Sequence, residues 1–109
     1  MRLPKAQRKS LLRFYAQGSS MTYSGSTYRG LEEIADKVES LSYESIEFGN
    51  LSSDVQPGPL PGSLFVVVCG YLQMDGSDKF GFAQAFNICP NGQGGYYIHN
   101  DIFTTINVL

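Results

Sequence analysis

The chain has 109 residues, of which 42% are hydrophobic and 17% are charged, a balance typical of one globular domain rather than a disordered segment. Its longest apolar run, residues 64–69, is far shorter than the ~20 residues that span a bilayer, which excludes a membrane helix. The N-terminus lacks the features of a secretory signal, so we expect an intracellular protein without a membrane partner.

The net charge of -2 is distributed unevenly along the chain. Residues 1–13 contain five basic side chains and no acidic one, whereas residues 14–109 contain ten acidic and three basic side chains. An acidic body repels nucleic acid phosphates and favours a basic protein partner. A solvated acidic surface without a partner is the alternative interpretation.

The cysteine and histidine content argues against a metal or disulfide framework. Cys69 and Cys89 both fall within predicted strands, which favours two buried free thiols. With one histidine and no CxxC pair, we expect neither a structural zinc site nor another cofactor.

The first half of the chain predicts two helices with a short strand between them. Apolar residues cluster on one side of residues 7–17, which predicts the first helix. Residues 21–24 favour a short strand that ends in a turn at Gly25-Ser26. Residues 30–41 have a continuous apolar stripe at helical spacing, which predicts the second helix; its members are Leu31, Ile34, Ala35, Val38 and Leu41.

The second half predicts four strands with hairpin connections. A two-residue alternation follows the second helix and ends at a loop, residues 56–62, that contains three prolines. Leu64–Met74 is apolar on both faces, and the dipeptide Asp75-Gly76 is a hairpin turn signal. Residues 79–89 alternate large and small side chains, so another surface could approach the small face closely.

The closing strand, residues 96–103, places the polar triplet His99, Asn100 and Asp101 between aromatic residues. Buried amide and carboxylate groups cost free energy unless they are paired, so we expect nearby groups to bond this triplet. His99 and Asp101 share a strand face at i and i+2, where an enzyme could use them as a base and its orienting carboxylate. A routine hydrogen bond of His99 is the alternative.

This order of elements is typical of an α+β protein with helices packed on one face of a curved antiparallel sheet. Such a sheet forms a cone that encloses a hydrophobic cavity. We expect a basic N-terminal segment, residues 1–7, followed by one domain over residues 8–109.

Six short motifs in one order resemble the nuclear transport factor 2 domain family, over about residues 8–103. The resemblance implies the cone fold and a long first helix, for which the chain offers only a basic hexapeptide. Two explanations stay open: the domain lacks that helix, or the helix lies upstream of Met1. The motifs are Ser20-Met21-Thr22-Tyr23, the helix from Gly30 to Leu41, Asp54-Val55-Gln56-Pro57, Gly70-Tyr71-Leu72 with Asp75, Phe82-Ala83-Gln84-Ala85-Phe86, and Asn100-Asp101-Ile102-Phe103.

The function that the resemblance implies is a non-catalytic nuclear import carrier. Such a carrier forms a homodimer through its sheet faces and receives an aromatic side chain of Ran-GDP, the GTPase Ran in its GDP state, in the cavity. It also binds phenylalanine-glycine repeats of nuclear pore proteins. The resemblance therefore implies a location in the cytoplasm, in the nucleus and at the pores of the nuclear envelope.

The residues of this chain that the resemblance assigns to Ran binding are apolar residues of the cavity and one carboxylate at its mouth. Ser24 and Ser77 stand where import carriers have acidic residues, and Asp78 lies next to Ser77. An ordinary core is the alternative role for the apolar set. The assigned residues are Tyr23, Leu41, Ile46, Val67, Phe80, Ile102 and Phe103, with Asp75 as the carboxylate.

Two other functions stay open at this point. Residues 99–103 resemble a related branch, the dimeric scaffold domains of the stress-granule type that bind short phenylalanine-containing motifs. The same cone also hosts isomerases, dehydratases and epoxide hydrolases. The sequence places no second acid or tyrosine beside His99 and Asp101 in the cavity, so we expect no enzymatic activity.

Overall fold

A computed structural model describes residues 2–106, which form seven strands, one α-helix and one 3-10 helix. Residues 107–109, the end of the expected domain, lie outside the described residues. The elements are β1 Arg2–Pro4, the 3-10 helix Lys5–Phe14, β2 Tyr15–Tyr23, β3 Ser26–Arg29, α1 Gly30–Ser40, β4 Ser45–Pro57, β5 Leu64–Met74, β6 Lys79–Pro90 and β7 Tyr96–Ile106.

All seven strands form one sheet in the order β1-β4-β5-β6-β7-β2-β3, and the sheet curls into a half-barrel. The predicted α+β class with a curved sheet is confirmed. The expectation of a purely antiparallel sheet is wrong at one place, because β2 pairs with β7 in parallel. β1 also joins the sheet through β4, so the N-terminal residues Arg2–Pro4 are not a free segment, while the boundary at residue 8 stays a prediction.

The predicted helical stripe forms α1 and packs against the sheet. Ile34 and Val38 are buried and contact Met21 of β2. The helix begins after Arg29, whose backbone N–H donates to the Glu33 carboxylate at 2.9 Å. This bond satisfies one of the donors left free at a helix N-terminus.

The first predicted helix differs from the structure. The helical segment is a 3-10 helix that ends at Phe14, and the chain is already extended at Tyr15. The reason is a long-range interaction, because Tyr15 pairs with Ile98 across β2 and β7, and its hydroxyl donates to Asp101 at 2.6 Å. The following turn is also displaced by one residue, since Ser24 and Gly25 have the positive φ angles, 48° and 95°.

The alternation along β5, β6 and β7 separates two faces of the sheet. On the inner side, the inner cluster is a set of buried apolar residues: Ile46, Leu72, Phe82 and Phe103. On the other side, which we call the outer face, large apolar side chains are about half exposed around the small residues Ala83 and Ala85: Phe65 46%, Val67 44%, Ile102 52% and Ile106 50%.

Cysteine placement follows the two faces. Both cysteines are free and lie in strands, as predicted, but the expectation that both are buried is wrong for Cys69, which is exposed. Cys69 pairs with Ala83 on the outer face, where the neighbouring side chains are too small to cover it.

Helix length and the clustering of acidic, histidine and cysteine side chains bear on membrane insertion and metal binding. Neither helix within residues 2–106 is long and apolar enough to span a membrane. The same residues place no group of three or more His, Cys, Asp or Glu side chains where it could hold a metal ion.

Candidate partner-binding site on the inner side of the sheet

Stacked aromatic rings line the inner side of the curled sheet. Tyr23 and Phe103 stack with ring centroids 5.0 Å apart, and Phe103 stacks on Phe82 at 5.8 Å. Phe48 meets Phe82 edge-on at 5.5 Å. The parallel pairing of Tyr23 with Phe103 places the first stack, and a backbone hydrogen bond of 2.9 Å from Ser24 N–H to the Phe103 carbonyl supports it. The result is a continuous cluster of aromatic rings in which Phe82 and Phe103 are buried.

Most of the apolar residues that the sequence assigned to the site lie on this side. Ile46 and Phe103 are buried members of the inner cluster, and Tyr23 and Phe80 pack against it. Leu41 is half-buried at the end of α1. The structure therefore brings four of the assigned residues together on the inner side, and Leu41 lies at the C-terminal end of α1, where its carbonyl accepts from Arg8. The role of all five in partner binding stays a prediction.

Val67 and Ile102 do not line this surface, which corrects the assigned set. Both side chains lie on the outer face, where Ala85 separates them in the sheet register. Their parity explains the difference, because Ile102 directly precedes the buried Phe103, and neighbouring strand residues point to opposite faces. The position of a residue in the sequence does not tell which face of the sheet its side chain occupies unless the strand register is known.

The cone mouth, defined here by Tyr23, Leu41, Tyr43 and the Asp75-Gly76 turn, contains a buried arginine. Arg8 is only 3% exposed, and its guanidinium carbon lies 3.8 Å from the centroid of the Tyr43 ring. Its Nη1 donates to the Leu41 carbonyl at 2.6 Å, whereas Nε and Nη2 have no partner within residues 2–106. The sequence missed this residue, because a basic N-terminal segment is usually solvated.

The tyrosines of the mouth are affected by burial and by nearby cations. Burial raises the pKa of Tyr23 and of Tyr43, and the positive charge of Arg8 opposes the rise in both. The Lys37 ammonium lies 4.6 Å from the Tyr23 ring centroid. Both hydroxyls are therefore neutral at physiological pH and can donate hydrogen bonds.

Asp75, the assigned mouth carboxylate, is exposed but bound to the backbone. Its Oδ1 accepts from the Glu44 and Ser45 backbone N–H groups at 3.0 and 2.9 Å, and its Oδ2 lies 3.1 Å from the Glu44 nitrogen. The carboxylate thus ties the β5–β6 turn to the start of β4. The hairpin turn predicted at Asp75-Gly76 is present, with φ angles of 50° and 72°.

Each member of the polar triplet of the closing strand has a hydrogen-bond partner, as expected from the sequence. Asp101 is buried and accepts from the Tyr15 hydroxyl at 2.6 Å and from Gln84 Nε2 at 2.7 Å. Asn100 accepts from Asn87, and His99 Nδ1 lies 3.3 Å from the Tyr97 hydroxyl. The triplet therefore holds β7 to its neighbouring strands and to the Tyr15 end of β2.

The pKa shifts of this network follow from its burial. Burial raises the pKa of the Asp101 carboxyl, and the hydrogen bonds from Gln84 and Tyr15 oppose that rise. Burial also raises the pKa of Tyr15, to which the charge and hydrogen bond of Asp101 add. Both Asp101 oxygens already have protein donors, and His99 meets Tyr97 instead, so the base and orienting carboxylate of an enzyme are not assembled in the described part of the chain.

A family comparison identifies the class of protein that this fold and aromatic surface define. The profile of the Nuclear transport factor 2 (NTF2) domain matches residues 1–105, which is nearly the whole chain. The chain belongs to this family, and the resemblance noted from its motifs is confirmed.

Individual relatives agree with this assignment. The chain is 36% identical over 98 residues to Nuclear transport factor 2B of Arabidopsis thaliana, a match that covers 88% of this chain and 77% of the relative. The solved structure of nuclear transport factor 2 from Cryptosporidium parvum superposes with a TM-score of 0.85 at 32% identity, covering 91% of this chain and 79% of that one.

More distant structures share the fold alone. A ketosteroid isomerase-like protein from Erwinia carotovora atroseptica superposes with a TM-score of 0.70 at only 12% identity, covering 95% of this chain and 85% of that one. Since one fold hosts unrelated activities, this likeness carries no statement about chemistry.

Proposed function

We propose that this protein is a non-catalytic nuclear transport carrier that binds Ran-GDP at the cone mouth and forms a homodimer through its outer face. The observation that supports the proposal best is the pairing of two features in one chain. The chain is about one-third identical to relatives named nuclear transport factor 2, and at its cone mouth the half-buried Tyr23 stacks on the buried Phe103. The relatives' names favour a carrier over a stress-granule scaffold and over an enzyme.

The mouth has the chemistry that an aromatic side chain of Ran-GDP would need. Tyr23 is half-buried, and one face of its ring already stacks on Phe103. The Lys37 ammonium lies over the Tyr23 ring, 4.6 Å from its centroid, so an incoming ring would displace Lys37 to extend this stack. Offset or edge contacts between aromatic rings contribute about 0.5–1.5 kcal/mol beyond simple burial. The neutral hydroxyls of Tyr23 and Tyr43 would supply hydrogen bonds at the rim.

The outer face supports the homodimer. Isolated apolar side chains are common on protein surfaces, but a contiguous apolar patch marks an interaction site. Here Phe65, Val67 and Ile102 stand around Ala85, whose small side chain allows a second sheet to approach closely. A two-fold axis through such a face gives the self-complementary contact that closes a dimer.

The same proposal extends to nuclear pores. A carrier of this class would bind phenylalanine-glycine repeats of nucleoporins and move between the cytoplasm and the nucleus through the pores of the nuclear envelope. The test is pull-down with immobilised repeat peptides, in which matched serine-glycine peptides retain nothing. Equal retention on both resins would contradict this part of the proposal.

Calorimetric titration tests the Ran proposal directly. We expect saturable binding of Ran-GDP with a dissociation constant below about 10 µM, and much weaker binding of Ran loaded with a GTP analogue. Tyr23→Ala should weaken the Ran-GDP complex at least about tenfold, because it removes the exposed end of the stack. Tyr96→Ala is the matched control, since Tyr96 is exposed at the start of β7, beside the proline-rich loop and away from the mouth. Absence of saturation at tens of micromolar (about 50 µM) would exclude Ran-GDP as a partner of useful affinity.

A further inference from the structure

A lysine of α1 covers the aromatic ring that lines the cone mouth. The Lys37 ammonium lies 4.6 Å from the centroid of the Tyr23 ring and 5.6 Å from that of the Tyr28 ring. Since Phe103 stacks on one face of Tyr23 at 5.0 Å, Lys37 covers the opposite face. Both faces of the Tyr23 ring are therefore occupied by side chains of the same chain.

Lys37 takes this position although acidic residues lie close to it on the same helix. Glu33 precedes it by four residues, a spacing at which glutamate and lysine commonly pair, and Asp36 is adjacent. Yet Lys37 forms no ion pair with a carboxylate of residues 2–106. Glu33 instead accepts a hydrogen bond from the Arg29 backbone N–H at 2.9 Å. The ammonium is therefore held by the attraction between a cation and the face of an aromatic ring.

A second position for the Lys37 side chain exists beside the first. A depression of about 310 Å³, which we call the α1 groove, is lined by Tyr28, Glu33, Asp36, Lys37 and Ser40. Rotation about its side-chain bonds would move the ammonium from the rings to the exposed carboxylates of Glu33 and Asp36. A glutamate–lysine pair at this helical spacing would compensate part of the lost ring contact. The cost of uncovering Tyr23 is therefore small.

We infer that Lys37 is a latch on the cone mouth, which covers Tyr23 in the free chain and moves into the α1 groove when an aromatic side chain of Ran-GDP stacks there. This inference rests on the proposed function and deepens it, because it names a residue that regulates the affinity of the mouth. The apparent affinity is reduced by the fraction of chains in which the latch is open. A ligand that cannot displace the ammonium is excluded from the ring.

Calorimetric titration of three variants with Ran-GDP tests the latch. Lys37→Ala removes the ammonium and keeps a strong helix former, so the dissociation constant should fall about threefold. Tyr28→Leu removes one of the two rings without a change of charge and keeps an apolar contact with α1, so the dissociation constant should fall about twofold. Lys37→Arg should raise it about twofold, because a guanidinium also stacks on aromatic rings.

Lys79→Ala is the matched control for the loss of a positive charge. The Lys79 ammonium lies 4.5 Å from the centroid of the Tyr71 ring, which is nearly the distance between Lys37 and Tyr23. Tyr71, however, precedes the buried Leu72 in β5 and therefore lies on the outer face. The affinity of Lys79→Ala for Ran-GDP should equal that of the unmodified chain. If it rises as much as that of Lys37→Ala, the effect is one of net charge, and the latch is overturned.

Side-chain NMR observes the latch directly. In the free chain the ε-methylene protons of Lys37 should resonate upfield of those of Lys5 and Lys9, because aromatic rings shield protons above their faces. Lys5 and Lys9 are suitable references, since both pair with carboxylates instead. Saturating Ran-GDP should remove the upfield shift of Lys37.

The outcomes distinguish this inference from the function on which it rests. If the unmodified chain does not bind Ran-GDP, the proposed function fails, and the latch fails with it. If the unmodified chain binds and Lys37→Ala binds equally well or more weakly, only the latch is overturned. Retention of the upfield shift in the complex would also overturn it, because Lys37 would then still cover Tyr23.

Discussion

The two faces of the sheet are built from the same strands but differ in how far their apolar side chains are buried. On the inner side, Phe82 and Phe103 stack on each other and are almost fully buried by residues of the same chain. On the outer face, Phe65 and Val67 keep close to half of their surface exposed although they alternate with core residues. The inner side therefore buries most of its apolar surface within one chain, whereas the outer face leaves a contiguous apolar patch exposed.

This difference predicts that the stability of the single chain and its self-association depend on different residues. Substitutions on the inner side should change the free energy of unfolding of the single chain, and substitutions on the outer face should change its self-association. The cone mouth lies at the edge of the inner side, so the proposed partner binding there and the proposed dimer contact on the outer face would use separate surfaces. The predictions below test this separation.

The largest effect is expected for Phe82→Ala. Removing a buried phenylalanine that contacts Phe48 and Phe103 leaves a cavity and should lower the free energy of unfolding by about 3–5 kcal/mol. Urea denaturation followed by circular dichroism measures the loss. A decrease below about 1 kcal/mol would show that the inner cluster is not the main core.

A smaller effect of a different kind is expected for Phe65→Ala. An aromatic residue at the centre of an interface typically contributes about 2 kcal/mol, so the dimer dissociation constant should rise about 30-fold. Sedimentation velocity over a concentration series measures it. Phe14→Ala is the matched control, because Phe14 is similarly exposed but belongs to the 3-10 helix. Equal dissociation constants for the two variants would remove the outer face as the dimer interface.

The smallest effect concerns the buried carboxylate of the inner side. Because the pKa of Asp101 is raised above its ordinary value of 3.8 in the folded chain, the unfolded chain releases this proton first as the pH rises. The contribution of Asp101 to stability is therefore full below that value and is lost as the pH rises through the raised pKa.

Asp101→Asn tests this sign. The amide can still accept from Gln84 and can donate to the Tyr15 hydroxyl, but it does not titrate. The stability of the unmodified chain relative to this variant should fall as the pH rises from 3.8 toward neutrality. A constant difference across that range in urea denaturation would show that the folded pKa of Asp101 is not raised.

The sequence predicted those parts of the fold that depend on local periodicity. The apolar stripe that includes the buried Ile34 and Val38 predicted α1, and the dipeptide Asp75-Gly76 predicted the hairpin turn between β5 and β6. Pairing between distant segments was not accessible in this way. The strand that begins at Tyr15 depends on β7, more than eighty residues later, as the hydrogen bond from Tyr15 to Asp101 illustrates with a separation of 86.

The candidate site was predicted in part for a similar reason. Tyr23 and Phe103 could be placed from motifs, because each motif keeps its order along the chain, and Ile46 was placed by its position in the resemblance. The burial of Arg8 and the backbone hydrogen bonds of Asp75 could not, since both arise from contacts between separate elements. Val67 and Ile102 were assigned to the wrong face because the register that orients them is set by β6.

The most direct test of the account is sedimentation equilibrium of the unmodified chain with saturating Ran-GDP. If the mouth and the outer face are independent surfaces, the complex will contain two copies of each protein. A complex with one copy of each would show that the two partners compete for overlapping surfaces. Two separate species with no complex would show that this chain does not bind Ran-GDP.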